Sequence, residues 1–98
     1  MIVIHLSEEA KEDLDEGFWF YELQQEGLGD YFTSCLKGDI EGLKVTAGIH
    51  QIFYEDYHRL LSRVFPYAIY YTFSENQVVI WAVVDCRRDP EWIAEHLE

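Results

Sequence analysis

Positive charge is scarce in this chain of 98 residues. Seven lysines and arginines stand against 19 aspartates and glutamates, for a formal net charge of −12. Binding to nucleic acid rests on neutralising phosphates with such cations, so direct binding to DNA or RNA is not expected. Cysteine is nearly absent too. Cys35 and Cys86 are the only two, and with no signal peptide in view they read as reduced thiols. They do not form a CxxC pair, and His5, His50, His58 and His96 show no HxH or HExxH spacing. No metal site is therefore expected. There is no serine nucleophile elbow, and Gly27-Leu28-Gly29 lies between helical patterns rather than after a strand. A phosphate-binding loop is excluded on that ground, and no cofactor is expected. The longest apolar opening, residues 1–6, is too short for a signal or membrane segment. A cytoplasmic protein without a membrane partner is the expectation.

What is present is a strong apolar complement. The chain is 49% hydrophobic and 16% aromatic, too apolar for disorder despite the charge. Its length fits one domain spanning residues 1–98. The acid excess has two readings: it suits a basic partner, or it keeps an aromatic-rich surface solvated.

The periodicity gives an α+β order. Residues 2–6, opening on the β-branched Ile2, Val3 and Ile4, read as a strand. Ser7 is a good N-cap, with Glu8 and Glu9 where the helix dipole favours acids. Ala10, Leu14, Phe18 and Tyr21 follow at helical spacing, so Glu12, Asp13, Asp15 and Glu16 are expected to face water. Leu28, Phe32, Cys35, Leu36, Ile40 and Leu43 mark a second helix, interrupted by Asp39. Two helices joined by a brief glycine turn predict an antiparallel hairpin. Residues 45–56 lack a period and read as a loop, with Ile49, Ile52, Phe53 and Tyr54 turned into the core. Three strand-like runs follow, at 59–64, 67–73 and 78–84, with Pro66 at an edge or bend. Asp89 and Pro90 start a short C-terminal helix. The predicted order is β-α-α-β-β-β with a helical tail. The last three strands form an antiparallel meander, the first adds at its edge, and the helix pair covers one face. Phe18, Phe32, Tyr67, Phe73 and Trp81 are the expected aromatic core.

Several segments together resemble one family. Phe65-Pro66-Tyr67-Ala68-Ile69-Tyr70-Tyr71, the run Val78-Val79-Ile80-Trp81-Ala82-Val83-Val84 and the closing Arg87-Arg88-Asp89-Pro90 are similar to segments of the ParE/RelE toxins. Arg59-Leu60-Leu61 with Arg63 resembles the strand before them. Ser7-Glu8-Glu9-Ala10-Lys11-Glu12-Asp13-Leu14 looks like the family's S-x-x-A-x-x-D-L start. The resemblance covers nearly the whole chain. It implies two N-terminal helices packed on a small antiparallel sheet. It also implies the toxic half of a toxin–antitoxin (plasmid stabilization) pair, neutralised by a small cognate antitoxin. The ParE branch inhibits DNA gyrase, and the RelE branch cuts mRNA within the ribosome. This chain departs from the pattern at Asp85-Cys86, where the family has His-Gly, and in its acidity. Three readings stand: a ParE-like toxin acting by protein binding, a RelE-like endoribonuclease, and a non-toxic member.

A metal-free ribonuclease needs cations beside the scissile phosphate and a group that moves protons. Arg59, Arg63, Arg87 and Arg88 are the candidates for catalysis, as the one basic cluster. The alternative is that they pair with acids such as Asp85, Asp89 and Glu55. No lysine follows Lys44, and the tail offers His96 and Trp92 but no tyrosine, which favours protein binding over RNA cleavage. The same four arginines are candidates for an acidic antitoxin tail. Trp19, Phe20 and Trp92 are candidate partner-binding aromatics, because three consecutive aromatics from Phe18 cannot share one helix face. Alternatively, the 45–56 loop or the C-terminal helix covers them.

Overall fold

The computed structural model describes residues 1–97. The elements are β1 (Val3–Leu6), α1 (Glu8–Glu22), α2 (Leu28–Glu41), the one-turn α3 (Leu43–Thr46), β2 (Ile52–Tyr54), β3 (Tyr57–Leu61), β4 (Tyr67–Ser74), β5 (Gln77–Asp85) and α4 (Pro90–Leu97). This is the expected α+β architecture with two additions: β2 within the stretch 45–56 read as a loop, and α3, which runs from the end of the second helical pattern into that stretch. The sheet runs β1-β5-β4-β3-β2. It is mixed, because β1 pairs parallel to β5 while the other neighbours are antiparallel.

The helical hairpin is fixed by local chemistry. Ser7 Oγ accepts the Ala10 amide at 3.0 Å and caps α1. At the far end, the Glu22 carboxylate accepts the Gly27 and Gly29 amides at 2.9–3.1 Å. Those amides open α2, where the helix dipole favours an anion. Gly27 supplies the left-handed turn at φ 88°. A Glu22→Ala variant should lose about 1 kcal/mol in denaturant unfolding, the usual cost of an N-terminal cap. The two helices then close through reciprocal notches. A Cβ on Gly17 of α1 would lie 2.5 Å from the Phe32 ring, and one on Gly29 of α2 would lie 2.6 Å from the Phe18 ring.

The hairpin covers one sheet face, where Ala10, Leu14, Phe32, Leu36, Leu43, Ile69, Tyr71, Val78, Ile80 and Val83 form the main core. The second face is covered by the C-terminal helix. Ile93 and Leu97 of α4 pack there on Ala68, Tyr70, Ala82 and Val84. A register shift explains how a continuous apolar run serves both faces. Tyr70 pairs with Ala82 but Tyr71 with Ile80, so Trp81 has no opposite partner. The extra residue changes the parity of β5 from Val78 and Ile80 to Val83. It also turns Trp81 outward. This residue was expected in the core but is 38% exposed, with its indole N–H donated to Thr72 Oγ1 at 2.9 Å.

Other expectations change for equally local reasons. The third strand occupies Tyr57–Leu61 rather than 59–64. Ser62 Oγ and Arg63 Nε turn away to donate to Asp39 at 2.7 and 3.2 Å, so the polar interruption of α2 is a buried acceptor. Ile49 and Ile52 are exposed rather than buried, while Phe53 and Tyr54 do pack, on the second core. Residues 47–51 are held by polar contacts that hydropathy cannot register. The Tyr71 hydroxyl accepts the Gly48 amide and meets His50 Nδ1, and His58 Nδ1 donates to the His50 carbonyl.

Candidate functional site

A groove of about 580 Å³ runs between α1, the end of β5 and α4. Its wall begins where β1 ends. The Ser7 amide makes the last bond of that edge, to the Ile80 carbonyl. Beyond it the Val83 amide has no strand to meet, and Asp13 Oδ2 accepts it at 3.0 Å. Asp13 was expected to face water, yet it is only 7% exposed. A helix-borne carboxylate thus completes the sheet edge.

His96 approaches the same carboxylate from α4, with Nε2 3.1 Å from both Asp13 oxygens. Burial pushes the Asp13 pKa up, against the opposing pull of the Val83 amide and His96. Arg88, Trp92 and His96 recur every four residues and stack in a row. The guanidinium lies 4.2 Å from the Trp92 ring, and the imidazole lies parallel to that ring at 4.9 Å. The row ties α4 to α1 through Asp13.

The opposite rim carries an ion pair. Arg87 grips Asp85 bidentately, with Nε–Oδ1 2.9 Å and Nη2–Oδ2 2.6 Å. Its own amide also donates to Asp85 Oδ1. The Arg87 side-chain hydrogen bonds are the chief reason the Asp85 pKa is lowered. Tyr67 stands beneath this pair. Burial, aided by Tyr21 and Asp85, pushes its pKa up to about 12. Its hydroxyl therefore stays protonated at neutral pH.

No protein-family model matches the chain, and no curated protein matches it by sequence. The shape does match. A solved structure described as the chromosomal ParDE TA system from P. aeruginosa superposes with a TM-score of 0.79 at 12% identity. The match covers 87% of this chain and 96% of that one. The fold is ParE-like.

Within this ParE-like fold the seven candidate residues separate. Phe20, Arg87, Arg88 and Trp92 line the groove. Trp19 points about 100° away around α1, and neither the 45–56 segment nor α4 buries it or Phe20. Arg63 reaches Asp39 on α2. Arg59 lies on the second sheet face, 5.4 Å from the Phe53 ring, and its buried Nε and the neighbouring Tyr70 hydroxyl have no hydrogen-bond partner among the described residues. The four arginines do not converge, so the basic cluster expected from the sequence is dispersed. Sequence reasoning missed Asp13 and placed Tyr67 simply in the core. The four-residue spacing of Arg88, just before α4, and of Trp92 and His96 on it was the available signal for their row. No membrane-crossing helix, by length and apolarity, occurs among the described residues.

Proposed function

We propose that this chain is the toxin of a type II toxin–antitoxin pair, acting by binding a protein and neutralised by a cognate antitoxin. DNA gyrase is the target that the ParE resemblance implies. The observation that carries this reading over RNA cleavage is the closure of Arg87 on Asp85. A guanidinium already held bidentately by a carboxylate is poorly placed to stabilise charge on a phosphate. Arg63 is likewise engaged by Asp39. The groove offers aromatic surface from Phe20 and Trp92 with mixed charge around it, which suits an anchored protein contact.

The test is induction of the chain in a bacterial host, with and without the small gene beside its own. Growth arrest relieved by the neighbour is the expected result, with filamentation and DNA-damage signalling as the signature of gyrase. Arg87→Ala should leave the arrest intact, whereas Phe20→Ala should weaken it. Rapid mRNA cleavage on ribosomes that disappears in Arg87→Ala would establish the nuclease instead. Normal growth at full soluble expression would establish a non-toxic member.

A further inference from the structure

The outer face of α1 carries one unbroken stripe. Glu8, Glu12, Asp15, Glu16, Trp19 and Leu23 follow the spacing i, i+4, i+7, i+8, i+11, i+15, which is one side of a helix. All six are exposed, and Glu16 sits at the border with the groove. Trp19 is 53% and Leu23 82% exposed. Lys11 is the only base on α1, and it pairs with Glu8 at 3.4 Å. The apolar end has a firm base. Trp19 meets Phe18 edge-on at 5.0 Å, and Phe18 is seated against Gly29. Solubility accounts for the carboxylates but not for a tryptophan and a leucine in line with them.

Charge selects the occupant. A nucleic acid or an anionic membrane meets repulsion along the whole stripe. A second copy brings no cation to the stripe: a two-fold axis along the helix sets carboxylates against carboxylates, and one across it buries Glu8 and Glu12 against Leu23 and Trp19. A cationic segment with an apolar stripe matches both halves at once. We propose that this face of α1 docks a lysine- and arginine-rich amphipathic helix. Its apolar side chains cover Trp19 and Leu23, and its cations lie over Glu8, Glu12, Asp15 and Glu16. On the toxin reading above, that helix belongs to the antitoxin. The neutralising segment is then basic, in place of the acidic tail that the arginines had suggested.

The test uses the full chain and two synthetic helices, one with leucines along one face flanked by lysines, the other with glutamate for every lysine. Calorimetric titration should show binding of the lysine helix, weakening as salt rises, and none of the glutamate helix. Trp19→Ala should weaken binding at least about ten-fold, as should Leu23→Ala. Both side chains are exposed, so these variants keep the fold. Equal binding of the two helices overturns the proposal, as does loss in Phe20→Ala without loss in Trp19→Ala, which places the contact in the groove. A dimer of the chain alone that dissociates in Trp19→Ala overturns it in favour of a second copy. The titration does not depend on toxicity, so normal growth on induction would defeat the toxin reading without touching this one. If the toxin reading holds, Trp19→Ala is a toxin that its neighbour no longer restrains.

Discussion

Phe32→Ala should lower the unfolding free energy by about 3–5 kcal/mol in a denaturant titration, the range for emptying a packed aromatic site. Phe32 is fully buried. Its ring centroid lies 4.9–5.1 Å from those of Tyr21, Phe65 and Tyr67, so its loss leaves a hole that three large rings cannot fill. The sharper expectation concerns Gly17. Adding a Cβ there drives it to 2.5 Å from the Phe32 ring, so Gly17→Ala alone should cost about 1–3 kcal/mol by overpacking. With Phe32 already removed, the same substitution meets no ring and keeps only its helix-propensity gain, at most about 1 kcal/mol. Gly17→Ala should therefore change sign, destabilising the parent and stabilising Phe32→Ala. A double-mutant cycle measures that coupling. Additive effects would show that the notch is not what sets the helix–helix distance.

Asp13→Ala should cost about 2–4 kcal/mol. It strands the Val83 amide at a buried sheet edge and removes the carboxylate facing His96. Asp13→Asn keeps an acceptor oxygen for Val83 and should cost markedly less. The pair also predicts a pH signature. Burial raises the Asp13 pKa above its ordinary 3.8, so the folded chain holds this proton more tightly than the unfolded chain does. The stability belonging to protonated Asp13 is complete below 3.8 and fades as pH rises through the raised folded value. Asp13→Asn should abolish that decline, leaving a flatter stability curve in mild acid. The Asp85 contribution runs the other way: its lowered pKa stabilises the fold above the ordinary aspartate range and is lost as pH falls. An unchanged curve in Asp13→Asn would refute the assignment to Asp13.

Much of the fold was legible because hydropathy reports which faces are buried. The β-α-α-β-β-β order, the hairpin and the capped tail helix all follow from apolar spacing and turn residues. The failures share a cause. Asp13, Glu22 and Asp39 are carboxylates whose acceptor oxygens serve amides or hydroxyls contributed by other segments, and composition alone assigns such residues to water. β2 is three residues long, too short for alternation to show. The bulge at Trp81 cannot be read from a run in which every residue is apolar. The groove was half legible. Arg87, Arg88 and Trp92 are neighbours in the chain, but Phe20 and Asp13 reach them only through packing of α1. The contact of Asp13 with His96 spans 83 positions. Dispersal of the arginines follows from strand parity and local acids: Arg59 faces α4's side of the sheet, while Arg63 and Arg87 each close on a nearby aspartate.

The Asp13–Val83 bond has a consequence for self-association. A β-sheet is open to recruitment along any border that displays unused amides, and fibrils grow by that route. Here the border of β5 beyond β1 presents a carboxylate, backed by a helix and a histidine, in place of a free donor. An incoming strand would have to displace the acid and then leave it buried beside its own backbone carbonyls. On that half of the sheet, the chain carries its own guard against polymerisation.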